Sequence, residues 1–385
     1  MRGNTVGNTI NPEIITWALD RIEMNVSMFI KKFPKLQEWI DCISYPTLNQ
    51  LYDFSKDVRV PIGYFFCSTP PIMKPPIADF RCFHDSPNKN FSVDLLDMIY
   101  LCQSRQDWYK EYAIRNDFEK ISFIGKYTIK EDPIKVVENI LKTLKISFDE
   151  RIKSKNLEEA QKYVLSKVDM AEILVMHSGV ALGNNNRPLN VKEFRGFALS
   201  DDYAPLIFIN NKDSIAGQIF TLIHELAHLW LGESGVSNPN FLHHDKENEK
   251  WCNAVAAEFL VPTSRLEKMS INILDLEKEI DRLAKYFKTS SLVILRRLYD
   301  IAIINSKTYN QYYKTLSAYS PPQKNINWAP DLYLRTYKSA NKRFVYALLS
   351  DTYVGNTLFR DAYRLINFKS SETVDNIAKD LGIIK

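Results

Sequence analysis

One stretch of the chain constrains the fold more than any other: residues 214–232, which are rich in large apolar side chains and contain the string His224-Glu225-Leu226-Ala227-His228. Ser214, or Asp213 before it, can cap the start of a helix, and Gly232 can end one. A helix that is apolar on nearly every side is buried in a protein core. The sequence therefore predicts a buried helix in which two imidazoles need polar partners.

A metal ion is the partner that this spacing favours. Residues four apart lie on one face of a helix, so His224 and His228 can direct both imidazoles at one ion. The glutamate between them, Glu225, then lies close enough to act as a general base on a water molecule. We expect Zn²⁺ as the cofactor, which needs a third protein ligand and one open position to be catalytic.

The third ligand has several candidates. Position 234 is a serine, which excludes an HExxHxxGxxH site. A second predicted helix, 247–260, is followed by Pro262, which stops it, and contains three glutamates. We prefer the one near its start, because the small residues behind it allow close packing on the first helix. The candidates are Glu247, Glu249 and Glu258, with Glu249 preferred; His243, His244 and Tyr203 are candidate donors to the transition state, and either histidine is also a candidate ligand.

The remaining pattern predicts a mostly helical α+β protein. Three short apolar runs, 173–176, 196–199 and 206–209, are typical of strands in a small sheet. The last of them is a candidate for holding an extended substrate by strand addition. Four prolines within 70–76 predict a linker. The predicted domains are a helix-turn-helix bundle, 1–68; a linker with connecting helices, 69–125; a zincin-like domain with the HExxH helix, 126–265; and a helical region, 266–385.

Cysteine usage and hydropathy bear on the compartment. The five cysteines of the 385 residues are widely spaced and form no CxxC pair, which favours a reducing cytoplasm over a disulfide framework. No stretch has the roughly 18 apolar residues of a membrane span. Residues 1–12 are polar and are not expected to be a secretory signal. We therefore expect a cytoplasmic protein without a membrane partner.

Beyond HELAH, the central region contains Arg195-Gly196-Phe197-Ala198, Ile207-Phe208-Ile209-Asn210, Glu249-Lys250-Trp251-Cys252-Asn253 and Phe259-Leu260-Val261-Pro262. With these strings, residues 134–262 resemble the ImmA/IrrE family of metallopeptidases. The resemblance implies a zinc metallo-endopeptidase in which the glutamate three positions before Cys-Asn, here Glu249, is the third ligand. The strings near 76–81 and 361–365 are also similar to longer members of the family.

The N-terminal unit resembles the helix-turn-helix domain of phage-repressor type that often precedes this peptidase. The similar residues are Glu38-Trp39, the run 45–51 and the run 60–66. Residues 1–66 carry seven Lys and Arg against seven Asp and Glu, a net charge of zero, whereas DNA binding depends on cationic contacts to phosphate. Dimerisation or protein docking is thus an equal alternative. With a recognition helix expected over 35–43, the candidate DNA contacts are Lys31, Lys32, Lys35 and Gln37.

The resemblance implies cleavage of a specific regulatory protein, such as a repressor or an antitoxin, in a stress or toxin–antitoxin setting. The expected partners are that substrate or a cognate toxin, with DNA and a second copy of the chain as further candidates. The alternative is a DNA-binding regulator or antitoxin-like protein that acts by binding, with a structural or unused zinc site. A third reading is an intact peptidase that is latent because its C-terminal half covers the cleft.

Overall fold

The computed structural model describes residues 10–22, 26–71, 77–79, 91–237, 247–318, 336–337, 339–368 and 370–384. The chain divides into two compact units, the first made of Met1–Pro76 with Asn88–Asp97 and the second of Ile77–Pro87 with Met98–Lys385. Among the described helices, none has the length and hydropathy to cross a membrane.

The first unit is a small helical bundle. It contains α1 (Pro12–Arg21), α2 (Val26–Phe29), α3 (Leu36–Ile40), α4 (Leu48–Asp57) and a 3₁₀ turn, Ile62–Phe66. Side-chain caps start two of these helices: Asn11 accepts from the Glu13 amide before α1, and Thr47 forms a capping box with Gln50 before α4. The core is aromatic, with edge-to-face and tilted ring contacts at centroid distances between 5.4 and 6.2 Å; it contains Phe33, Trp39, Phe54 and Phe65.

The helix expected over 35–43 is shorter in the structure. It covers only Leu36–Ile40, because Cys42 adopts a left-handed backbone with φ of 56° and stops it. The amides of Ile43 and Ser44 then bond to the Glu38 carbonyl, and the Ile43 side chain is 74% exposed. The expected recognition helix is thus a short turn of helix followed by an exposed loop.

The second unit is mostly helical around one small mixed sheet, which confirms the predicted α+β class. Its elements are β1 (Ala78–Asp79), α5 (Val93–Arg115, from Met98 onward), α6 (Pro133–Thr143), α7 (Phe148–Ile152), α8 (Leu157–Met170), β2 (Leu174–Ser178), β3 (Gly196–Leu199), β4 (Leu206–Asn210), α9 (Ile215–Leu231), β5 (Gly235–Ser237), α10 (Glu247–Leu260), α11 (Thr263–Leu266), α12 (Leu276–Phe287), α13 (Ser291–Asp300), α14 (Ser306–Ala318) and three further helices, Lys342–Tyr353, Phe359–Ile366 and Ser371–Asp380.

The five strands lie in the order β1-β5-β3-β4-β2. Strand β4 pairs parallel with β2 and antiparallel with β3, so both of its edges are used. The expectation that 206–209 binds substrate by strand addition is therefore wrong, since strand addition needs a free edge. Strands β1 and β5, which the sequence patterns did not predict, pair in parallel with each other, and β5 pairs antiparallel with β3.

Helix α9 lies at the centre of the second unit. It packs on β3 and β4 of the sheet, on α8 and on α10, and α10 in turn packs on α6. The Trp230 ring near its C-terminal end stacks on Phe123 at 4.2 Å, and its indole N–H donates to Asn139 at 3.1 Å. These contacts fix both the position and the rotation of the helix that carries the two histidines.

The buried Arg151 side chain joins the ends of two helices. Its guanidinium donates to the carbonyl of Leu260 at the end of α10 at 2.7 Å, and to that of Phe287 at the end of α12 at 2.9 Å. It is 1% exposed, so a substitution leaves these carbonyls buried without a donor.

We therefore expect Arg151→Leu to lower the free energy of unfolding by about 3 kcal/mol, measured by urea denaturation. Arg265→Leu is the control, because the Arg265 side chain is 50% exposed and its ion pair with Asp149 is worth at most about 1 kcal/mol. Equal, small losses in the two variants would contradict the proposed role of Arg151.

Candidate metal centre

Three side chains from two helices converge inside the second unit. Helix α9 is capped by the Ser214 hydroxyl, which accepts from the Gly217 amide at 3.1 Å, and its apolar faces bury His224 and His228. Glu249 lies in the first turn of α10, the helix packed against α9. All three side chains are fully buried.

The ligand atoms of these side chains lie within 4.8 Å of one another. The two Nε2 atoms of His224 and His228 are 3.2 Å apart. Glu249 places Oε1 at 2.9 Å from His228 Nε2 and Oε2 at 3.3 Å from His224 Nε2. A single cation between these atoms would contact all three, so the residues fit a metal ion.

The ionisable side chains around His224, His228 and Glu249 also favour a cation at this position. Burial works to raise the pKa of Glu249, but the charges and hydrogen bonds of His224 and His228 outweigh it and hold that pKa well below its usual range. Burial lowers the pKa of His224, although the nearby Glu249 opposes that shift. An imidazole ligates a metal in its neutral form. The pKa of His228 is raised despite burial, because Cys252, Glu233 and Glu249 surround it. The acidic surroundings thus favour a positive charge here, as a proton or as a metal ion.

Glu225 lies beside this group, against strand β3. It is fully buried, and burial raises the pKa of its carboxyl to about 8. Gly196 of β3 lies close to it, since an added Cβ there would lie 3.3 Å from Glu225 Oε1. The absence of a side chain at Gly196 thus makes the room that the carboxylate occupies. A carboxyl with a raised pKa next to a metal-binding group can accept and release a proton near neutral pH.

Several site residues were missed by the sequence patterns. The Ser237 hydroxyl of β5 lies 3.4 Å from His228 Nε2, and Glu233 Oε2 lies 3.5 Å from His228 Nδ1. Asn248 donates to the other oxygen of Glu233. Cys252 and Asn253 could have been found, because they follow Glu249 by three and four residues and therefore share its helix face. No sequence period marks Glu233 or Ser237. The chain reverses after α9 ends at Gly232 and so returns these two residues to His228.

The other candidate carboxylates lie away from the group. Glu247 is exposed, although it is only two residues from Glu249. Glu258 is engaged in a buried ion pair with Arg297 and accepts from the Thr263 hydroxyl at 2.6 Å. Glu249 is thus the carboxylate of α10 that meets both histidines.

Of the three candidate transition-state donors, the described residues include Tyr203. Tyr203 is half-buried in a surface pocket of about 390 Å³, also lined by Lys110, Lys120 and Gly232, that includes none of the three candidate ligands. His243 and His244 lie outside the described residues.

The four candidate DNA contacts of the first unit are exposed, but two of them are engaged. Lys32 forms an ion pair with Asp57 at 2.6 Å, and Gln37 donates to Asp41 at 3.0 Å. Lys31 and Lys35 lie in the turns that precede α3 rather than on it. The candidate contacts therefore do not form a continuous cationic helix face.

The close approach of α9 to β3 generates a test at Gly196. A Cβ there would lie 2.6 Å from Thr221 Cγ2 and 2.8 Å from the Phe208 carbonyl oxygen, both too close for an unshifted structure. We expect Gly196→Ala to cost about 1–3 kcal/mol in urea denaturation. Adding Thr221→Ser, which removes the clashing methyl group, should recover part of that loss.

Gly179→Ala is the matched control, because the atoms nearest to its Cβ would belong to the flexible Lys212 side chain, at 3.4 Å or more. Its expected effect is within about 0.5 kcal/mol. A Gly196→Ala variant as stable as this control would show that helix and strand are not tightly apposed.

Comparison with known families places these residues in context. Residues 182–299, which contain the two histidines, Glu225 and Glu249, match the IrrE N-terminal-like domain, Peptidase M78. Residues 341–380 match a domain of unknown function, DUF8813. The chain matches no curated protein and no solved structure. The central part of the chain is thus similar to an IrrE N-terminal-like domain, which supports the ImmA/IrrE family and a metallopeptidase-type protein.

Proposed function

We propose that the protein is a zinc-dependent endopeptidase. The observation that carries the proposal is the fully buried group of His224, His228 and Glu249, with Glu225 beside it. The same four residues lie inside the segment that matches the metallopeptidase family. Two imidazole nitrogens and a carboxylate, with one position left open, form a donor set of catalytic zinc sites.

The distances between the donors support zinc over larger ions. Zinc bonds of about 2.0–2.1 Å in a tetrahedron place neighbouring ligand atoms about 3.3 Å apart. The observed separations between His224, His228 and Glu249 atoms are 3.2, 2.9 and 3.3 Å. Calcium takes six to eight oxygen ligands at about 2.3–2.6 Å, which three side chains with two nitrogens do not provide.

The chemistry divides between the metal and the chain. Held by His224, His228 and Glu249, a zinc ion would lower the pKa of a nearby water molecule and polarise the peptide carbonyl. Glu225 accepts the proton of the attacking water on a carboxylate oxygen and passes it to the leaving amine nitrogen. Glu233, whose other oxygen accepts from Asn248, lies 3.5 Å from His228 Nδ1 and so favours the ring orientation that presents Nε2 as the ligand atom.

We infer that the substrate is a specific regulatory protein of repressor or antitoxin type in the cytoplasm. Because Lys32 and Gln37 are engaged within a unit of zero net charge, a protein-docking or dimerisation role suits the N-terminal unit better than DNA binding. A protein that acts by binding alone would not need Glu225, since a structural zinc site requires only ligands. Hydrolysis is therefore the preferred reading over a pure regulator or antitoxin.

The role of Glu225 is tested by Glu225→Gln. We expect zinc content to stay near one ion per chain, while cleavage falls by at least about 100-fold because the base is lost. Cells that make the wild type should show new protein termini in mass spectrometry that are missing with Glu225→Gln, and the variant should retain the uncut partner on affinity capture. Exposed Glu267 supplies the control, and Glu267→Gln should cleave normally. Full cleavage by Glu225→Gln would contradict the proposed mechanism.

The assignment of the third ligand is tested by a matched pair of variants two residues apart. Glu249→Gln should weaken zinc binding by an order of magnitude or more, in a competition assay with a chromophoric chelator, because a charged ligand is lost. Glu247→Gln removes an equal charge from the exposed side of the same turn and should bind zinc like the wild type. The reverse result, or no zinc in the wild type even after metal is supplied, would contradict the proposed site.

A further inference from the structure

We propose that strand β5, Gly235–Ser237, is an internal plug that occupies the edge of β3 beside the metal-binding group, and that β1 clamps it from outside. The peptidase is latent in this conformation, and an extended substrate must displace the plug. The proposal rests on the proposed function and adds how the site is regulated.

The first step is access to the reacting groups. His224, His228, Glu249 and Glu225 each have no exposed surface. A protein substrate must bring a peptide bond within hydrogen-bond distance of the Glu225 carboxylate for proton transfer. The described structure leaves no opening to these groups, so turnover requires part of the chain to move.

The second step identifies the part that lies in the way. Strand β5 pairs antiparallel with β3, with Ser237 opposite Gly196 and Val236 opposite Phe197. Gly196 is the β3 residue next to Glu225, so this pairing covers the stretch of β3 that borders the base. Ser237 also brings its hydroxyl to 3.4 Å from His228 Nε2. The plug therefore touches both the strand and a candidate ligand.

The third step is competition for the same hydrogen bonds. An extended peptide binds a sheet through main-chain bonds to a free edge. The other edge of β3 is taken by β4, which itself pairs with β2 on its far side. The remaining edge of β3, beside the metal-binding group, is held by β5, so plug and substrate cannot be bound there together.

The fourth step concerns the clamp. Strand β1 has two residues, pairs Ala78 with Gly235 and Asp79 with Val236, and leaves Ala78 exposed. So short an edge strand is among the first elements of a fold to open. It also follows directly, in sequence, the four prolines of 70–76 that come after the N-terminal unit. The shortest pairing of the described sheet thus secures the strand that lies beside the metal-binding group.

The test weakens the clamp and leaves the core untouched. The double variant Ala78→Pro/Asp79→Pro removes both backbone N–H groups of β1 and so breaks its ladder. Ala78→Val/Asp79→Thr is the matched control, because it keeps both N–H groups and has higher strand propensity. The readouts are hydrogen exchange of residues 235–237 and the rate at which excess EDTA removes zinc from the full chain.

We expect the proline variant to bind one zinc per chain, to exchange faster in 235–237 and to release zinc roughly ten-fold faster than the wild type. The control should match the wild type in all three. Unchanged exchange in 235–237 together with unchanged zinc release would overturn the proposal. If the wild type binds no zinc, the proposed function fails, but faster exchange of 235–237 in the proline variant still supports the plug.

Discussion

The structure of the second unit depends on the burial of four ionisable side chains against one another. His224, Glu225, His228 and Glu249 are removed from water, and an unpaired charge in such a place is strongly destabilising. Their mutual contacts offset part of that cost, and a cation held among them would offset more, provided that the donor atoms stay in position. The contacts that position α9, α10 and β3 therefore also determine how well these four buried side chains are paired.

The helix ends do much of this positioning. At the C-terminal end of α10, Arg297 pairs with Glu258 and also donates to the Val261 carbonyl, while Arg151 bonds to Leu260. At the N-terminal end, Asn248 bonds to Glu233, which contacts the ring of His228. Because both ends of α10 are bound, Glu249 cannot rotate away from the histidines without breaking a buried interaction.

Sequence patterns predicted the strands that are marked by their own run of apolar residues. The strand runs 196–199 and 206–209 match β3 and β4 almost residue for residue, because alternating or continuous apolar residues follow the pleat. Strands β1 and β5 have two and three residues, too few for any period, and exist only through pairing between distant parts of the chain. The same reason explains the error over β4, since strand order is a tertiary property that the run 206–209 does not contain.

The candidate site shows the same division. The spacing of His224 and His228 and the position of Glu225 follow from helix geometry. The residues alone do not decide which of the three glutamates on α10 is the third ligand. The rotation of α10 separates them: Glu249 is buried, Glu247 is exposed and Glu258 pairs with Arg297. Glu233 and Ser237 reach His228 through the reversal of the chain after Gly232, where no sequence period extends.

Burial of the base links metal binding to reactivity. A carboxyl with a pKa of about 8, as burial gives Glu225, is mostly protonated at neutral pH and cannot accept a proton in that form. A cation among His224, His228 and Glu249 favours the charged carboxylate, because a nearby positive charge lowers the pKa of an acid. Under the proposed mechanism, the metal-free chain would lack both the ion and the ionised base. One binding event would supply both, so metal occupancy would be a condition for general-base chemistry and not only for binding the carbonyl.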